Sequence, residues 1–263
     1  MDLEKSVDVK RPDKSELVHV LLFNGGVSSM CAWWKLKSPK VLFIEFDDDF
    51  SKWQRKLVED LAKRFKMDLE VIPGGVGAFN GDYSVENGNL DFLMVYLASR
   101  RGNIIHLAMD KSKTLPFSSS EYVTNGSSIV RDRLEYLSDL VSTIHKRKIY
   151  VSSPIYRHGK HKVIADALSS NGYDYSVTDA LLRTRSCLKP GKKGNSHYHC
   201  GNCIGCWNRW IAFHVNGIDL TTSFDKDVKK MCLEKYKPLL ESGKYEVSWT
   251  KTALSFLKGV CDE

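Results

Sequence analysis

No stretch of this 263-residue chain approaches the uninterrupted apolar length that a membrane helix needs, and the charged first fifteen residues lack the hydrophobic region of a signal peptide. Both absences lead us to expect a cytoplasmic protein that does not enter a membrane, with residues 1–15 as a flexible tail. Internal repeats and low-complexity segments are missing too. The glycine turns have gaps of their own, since no Gly-Lys-Ser/Thr closes a Walker loop and no three-glycine fingerprint of a dinucleotide fold follows a strand. Cysteine is different: seven are present, an odd number that suits a secreted disulfide scaffold poorly.

Four of the seven are grouped. They are Cys187 and then Cys200-Gly201-Asn202-Cys203-Ile204-Gly205-Cys206. Two successive C-x2-C steps put three thiolates within a single turn of chain, and Cys187 returns across the loop Leu188–His199. That loop is rich in Lys, Pro, Gly, Asn and Ser, which form neither core nor regular element, so something must pin its two ends together. A tetrahedral Zn2+ held by four thiolates would do so. Buried free thiols, disulfides, an iron–sulfur cluster, and replacement of one cysteine by His197 or His199 are the alternatives. Cys31, Cys232 and Cys261 read as ordinary thiols.

With 42% hydrophobic residues the chain can bury one large core, or one core and a small appendage. The net charge of +7 is concentrated in runs such as His145-Lys146-Arg147-Lys148. Such a run could meet phosphates, but it also falls where a helix is expected to end, and cations suit a helix C-terminus.

Leu17–Phe23 is a short apolar run of strand-forming residues that stops at Asn24-Gly25-Gly26, and a helix is expected from Ser28 to Leu36. The unit repeats: strand Val41–Phe46, helix from about Ser51 to Lys66, strand Leu69–Ile72, helix Leu90–Arg100, strand Asn103–Ala108, helix Ile129–His145, strand Ile149–Ser152. This alternation predicts a parallel sheet with helices on both faces over residues 16–158. A helical C-terminal region with the four-cysteine knot follows over 159–263, with helices expected at Lys160–Ser170 and Cys203–Val215. Ligands of such sheets bind at the carboxyl ends of the strands, here Asn24–Ser29, Phe46–Asp49, Ala108–Lys113 and Ser153–His158.

The turn Phe23-Asn24-Gly25-Gly26-Val27-Ser28-Ser29 has what a phosphate cradle needs: glycines that let backbone N–H groups approach an anion, and hydroxyls at the mouth of a helix. An ordinary tight turn is the plain alternative. Asp47–Asp49 could bind Mg2+ or a ribose, or could be an acidic turn with Asp49 capping the next helix. Trp33, Trp34 and Trp210 read as core, and so does His106, while His158 and His161 lie near the strand ends without an assigned role.

These residues carry a resemblance. The first turn resembles the SGGxDS loop of the PP-loop ATPases, the Rossmann-like adenine nucleotide alpha hydrolases, which cleave ATP between its α- and β-phosphates. Ser186-Cys187, then Cys200-Gly201-x-Cys203-x-x-Cys206-x-x-Arg209-x-x-Ala212-Phe213 and Gly217-Ile218-Asp219, resembles the closing zinc segment of the 7-cyano-7-deazaguanine synthases, the QueC branch of that superfamily. Val85–Leu93 is similar to the family's VPGRN segment with Asn89 at its asparagine, Ser153-Pro154-Ile155 fits the proline after the fifth strand, and Lys160 stands at the family's helix-opening lysine. The match runs over residues 17–219. The departures are Asn24 and Ser28 for the loop serine and aspartate, Glu86 and Gly88 for the proline and arginine of the substrate segment, and Leu115–Ser120 where the family has Tyr-Pro-Asp-Cys.

The resemblance implies AMP transfer to a carboxylate, using ATP and Mg2+, followed by attack of ammonia or another amine. It places the pyrophosphate on Phe23–Ser29, with Ser28 and Ser29 among the catalytic groups, and the adenosine by Phe46 and Asp47. Lys160 would steady the departing group, Asp110 would meet substrate nitrogen or metal, and Asn89 and Arg209 would contact the substrate. A 7-carboxy-7-deazaguanine-type acid taken to amide or nitrile, as in queuosine synthesis, is the leading expectation, with a homodimer as the assembly. A ligase that joins the deazapurine to a protein or nucleic-acid amine, in DNA modification or defence, is one alternative. A nucleic-acid thiolation enzyme and a partner subunit without ATP turnover are the others.

Overall fold

In a computed structural model the described residues are 17–74, 88–110, 126–172, 174–187, 199–220, 224–243 and 249–261. The expected tail, residues 85–87 of the substrate segment, Lys111–Ser120, and the loop 188–198 with His197 lie outside them.

Five strands form one sheet: β1 (His19–Leu22), β2 (Lys40–Glu45), β3 (Leu69–Pro73), β4 (Ile104–His106) and β5 (Tyr150–Ser152). Their order is β3-β2-β1-β4-β5, and every pairing is parallel. Each strand is followed by a helix: α1 (Val27–Lys35), α2 (Asp49–Phe65), α3 (Gly88–Ala98), α4 (Gly126–His145) and α5 (Lys160–Ser170). The α/β sheet expected from the alternation of elements is therefore present.

Alternation along each strand divides the core between the two faces. Leu21, Phe23, Val41 and Phe43 join α1, α2 and α5, while Val20, Leu42, Ile44, Ile72, Ile105 and Val151 join α3 and α4. Each fully buried large apolar side chain in these layers contributes about 1.5–3 kcal/mol.

Beyond α5 come α6 (Tyr175–Arg183), α7 (Ile204–His214), α8 (Val228–Met231), a π-helical turn (Cys232–Tyr236), α9 (Lys237–Glu241) and α10 (Thr250–Cys261). Among the described residues their apolar side chains do not make a second core. Val177, Leu181, Trp210, Phe213, Tyr236 and Leu257 sit in the same cluster as Leu21 and Met30, so residues on both sides of position 158 share one interior.

Trp33 and Trp210 are buried in this interior and Trp34 packs against it. The basic run at 145–148 closes α4, where Lys146 takes φ 50° and the Arg147 guanidinium donates to the Ser99 carbonyl. Cations at that end offset the negative pole of the helix.

Candidate functional site

The strand order reverses between β1 and β4, and open parallel sheets bind ligands in the crevice at the carboxyl ends of such a pair. The connection 23–26 leaves β1 there, and Asp110, four residues after β4, is the last described residue before 126.

The turn owes its shape to Gly25, at φ 72°, where a Cβ would come within 2.9 Å of Leu57 Cδ2. The Asn24 side chain holds it from the other side: its Oδ1 accepts from the Gly26 N–H at 3.0 Å and lies 3.0 Å from the Ser29 hydroxyl. The N–H expected to cradle an anion is thus engaged by Asn24, which an incoming phosphate would displace. Helix α1 begins with Gly26 as a cap that offers no side-chain hydrogen bond and has no acid in its first turn. Its positive pole accordingly faces the crevice without a local counter-charge from its own first turn.

That counter-charge arrives from β4. The Ser28 hydroxyl donates to Asp110 Oδ2, across 82 positions of sequence. The Lys160 ammonium, at the start of α5, stands 3.6 Å from the same oxygen. Asp110 is fully buried, Ser29 is 1% exposed and the Lys160 side chain 15%. Ser153 fixes the neighbouring strand end by donating to the Met109 carbonyl at 2.8 Å. Below the cluster lies Cys31, whose thiol is pushed up to about 12 by burial, with Lys160, Asp110 and Asp166 as the charges around it. Three groups named from the sequence, Ser28, Asp110 and Lys160, therefore meet at one point.

The β2 edge is organised differently. Phe46 is buried and its N–H donates to the Ser51 hydroxyl at 2.9 Å. Asp48, not Asp49, caps α2 by accepting from the Ser51 N–H at 2.7 Å. Asp47 lies exposed beside Lys52 at 2.6 Å, and its hydrogen bond to that ammonium holds its carboxyl below the usual range. Asn89 lies in the first turn of α3, with its side chain outside the described residues. Arg209 is fully buried: one terminal nitrogen donates to Thr184 Oγ1 at 2.9 Å and the other to the Leu181 and Leu182 carbonyls at 2.9 and 3.0 Å. Those bonds satisfy the end of α6, so the geometry gives Arg209 the role of a structural cap.

His158 and Asp166 pair at 2.6 Å, and the His161 ring lies 5.2 Å from Trp249. His106 is a satisfied core residue, bonded to His19 at 3.0 Å and to Ser152 at 2.8 Å. Burial and the nearby His19 lower its pKa to about 4.

The four cysteines converge. Their sulfurs all lie within 4.8 Å of one another, with Cys200 and Cys206 at 3.9 Å and Cys203 and Cys187 at 4.0 Å. A tetrahedral ion bonded to sulfur at about 2.3 Å requires sulfur–sulfur edges of about 3.8 Å, so the set fits a divalent metal with little adjustment. The Asn202 N–H points at Cys200 Sγ at 3.4 Å, and Trp207 Nε1 braces the Gly201 carbonyl at 3.1 Å. Gly201 has φ 67°, and a Cβ there would meet the Lys226 carbonyl oxygen at 2.5 Å. Without an ion, hydrogen bonds from Cys187 and Cys203 together with burial raise the Cys206 pKa far above its usual value. A bound cation reverses this by stabilising thiolate. His199 is buried beside Phe224 and is not a member of the sulfur set.

Two residues of this region escaped the sequence reading. Gln54 Nε2 donates to the Asn24 carbonyl at 2.8 Å, and the Arg185 N–H donates to the Gly25 carbonyl at 3.0 Å. Only Arg185 carried a signal, its place two positions before a ligand cysteine. No protein-family model matches the chain, and no curated protein matches it.

Proposed function

We propose that this chain is a QueC-like PP-loop enzyme, an AMP-forming C–N ligase that activates the carboxylate of a 7-carboxy-7-deazaguanine-type substrate. The observation that carries this reading is the Ser28–Asp110–Lys160 cluster at the β1/β4 crevice, beside the glycine turn and the open N-terminus of α1. In the resembling loop a carboxylate stands where this chain has Ser28. Here Asp110 brings one to Ser28 from the next strand, which favours retained chemistry over a partner subunit without turnover.

In the first step a substrate carboxylate oxygen attacks the α-phosphorus of ATP, the bond to the β-phosphate oxygen breaks, and pyrophosphate leaves. The turn 24–29 and the α1 N-terminus receive the negative charge, and Lys160 offsets what builds on the leaving group. Asp110 would hold Mg2+, which would supply charge neutralisation for the phosphates. An amine nitrogen then attacks the acyl carbon, a proton leaves the nitrogen, and AMP departs. A second activation, at the amide oxygen, would give the nitrile with loss of AMP and two protons. In the four-cysteine site we propose zinc as a closed structural ion, because no ligand position is left for substrate.

Pyrophosphate exchange into ATP, dependent on 7-carboxy-7-deazaguanine, tests the activation step. Addition of ammonia should then yield AMP with amide or nitrile. AMP formed only with a protein or nucleic-acid amine would point to the joining ligase. Neither ATP binding nor exchange with Mg2+ present would overturn the enzymatic reading.

A further inference from the structure

Arg185 is 6% exposed, and its Nε, Nη1 and Nη2 atoms are all buried without a hydrogen-bond partner among the described residues. Its guanidinium lies 3.4 Å from the centroid of the Trp53 ring and 5.7 Å from that of Phe50. A cation over an aromatic face gains about 0.5–2 kcal/mol. Stripping a guanidinium of water without a partner costs several kcal/mol, so the rings alone do not account for its burial. Such a guanidinium calls for a negative charge nearby.

The four-cysteine centre supplies one. Four thiolates around a divalent ion carry a net charge of −2 by simple valence, and a buried ion of that charge needs compensation of its own. Two buried arginines flank its ligands in the sequence, Arg185 two residues before Cys187 and Arg209 three residues after Cys206. Arg209 also has neutral partners at the end of α6, whereas Arg185 has none among the described residues. Burial lowers the Arg185 pKa, and the thiol groups, Cys187 foremost, act in the opposite direction. The two positive charges of these arginines would balance a tetrathiolate centre holding a divalent ion.

The Arg185 main chain faces the other site. Its N–H holds the Gly25 carbonyl at 3.0 Å, and its carbonyl oxygen lies 3.4 Å from where a Cβ on Gly26 would stand. Two residues of chain span at most about 7 Å between Cα atoms, so Cys187 and Gly25 are joined by a short connection.

We propose that Arg185 is the counter-ion of the four-cysteine metal centre and that its backbone makes the shape of the glycine turn depend on metal occupancy. Loss of the ion leaves the guanidinium without its balancing charge, and the 184–187 segment then gives up its hold on Gly25. The metal part of this inference is independent of the nucleotide chemistry proposed above, which enters only in one arm of its test.

Zinc affinity, measured by competition with a chromogenic chelator, is compared for the full-length wild type, Arg185→Met and Arg185→Lys. Arg185→Met keeps the length and the stack on Trp53 but loses the charge, and should bind zinc at least tenfold more weakly; Arg185→Lys should lie between it and the wild type. In the wild type, chelation of zinc should raise hydrogen–deuterium exchange across residues 24–29, and added zinc should restore protection. Wild-type zinc affinity in Arg185→Met overturns the counter-ion assignment, and unchanged exchange over 24–29 in the stripped wild type overturns the coupling. If Arg185→Met keeps its zinc but loses ATP, the guanidinium is a phosphate ligand and the inference is wrong. If the wild type does not bind ATP at all, the enzymatic reading fails while the zinc and exchange measurements still decide the inference.

Discussion

Asp110 and His106 are both buried polar residues near one strand end, and their electrostatic surroundings differ. Asp110 has the Ser28 hydroxyl, the Lys160 ammonium and the positive end of α1 to hold a negative charge. Asp110→Asn removes that charge at almost constant volume. Mg-ATP binding, followed by calorimetry, should weaken tenfold or more while zinc content stays at the wild-type value. His106 instead bonds His19 and the Ser152 hydroxyl, and burial, with the nearby His19 second, lowers its pKa to about 4 from the usual 6.5. The unfolded chain therefore binds the proton more tightly than the folded one. The stabilising contribution is complete above about 6.5 and is lost as pH falls towards about 4, on the order of 3 kcal/mol in all. Urea unfolding of His106→Leu across that range should show a flatter dependence on pH than the wild type, and an equal slope would refute the assignment.

At the scale of elements, helix ends connect the folding of this chain to its sites. Asp48 ends the β2 edge as the cap of α2, and Asp48→Ala should cost about 1 kcal/mol in denaturant unfolding. The α5 bounds expected from the sequence are those observed, Lys160–Ser170, because an apolar face at Val163, Ile164, Ala167 and Leu168 announces that helix locally. Helix α6 was not expected. It is only nine residues long, and the bonds that satisfy its last carbonyls come from Arg209 on α7, beyond any local window. From Asp225 onward the sequence predicts two more helical stretches; helices are found there, interrupted by a π-helical turn at Cys232–Tyr236 whose end residues are both fully buried in the shared core.

For the whole molecule, a single interior joining sheet and C-terminal helices means that the metal centre is not an independent appendage. Cys203→Ser should lower zinc content towards zero by elemental analysis, and the melting temperature should fall by several degrees, since metal-binding energy there is folding energy. Because α5, α6 and α7 pack on β1 and α1 through common side chains, chelation should lower one cooperative transition and not melt the C-terminal half separately. Two resolved transitions by calorimetry would contradict a shared core. Among the described residues no helix is long and apolar enough to cross a membrane.

The sequence by itself determined what is local: the strand–helix alternation, the glycine turn, and three cysteines placed by C-x2-C spacing near a fourth. Each of these depends on residues a few positions apart, where periodicity and turn chemistry act. The tertiary structure decided which distant groups meet. Asp110 reaches Ser28 only because the strand order sets β4 beside β1, and Arg185 reaches Gly25 only because α6 and the cysteine centre fold back onto that edge. Strand order and packing are set by the burial of the whole core, which no short stretch of sequence contains.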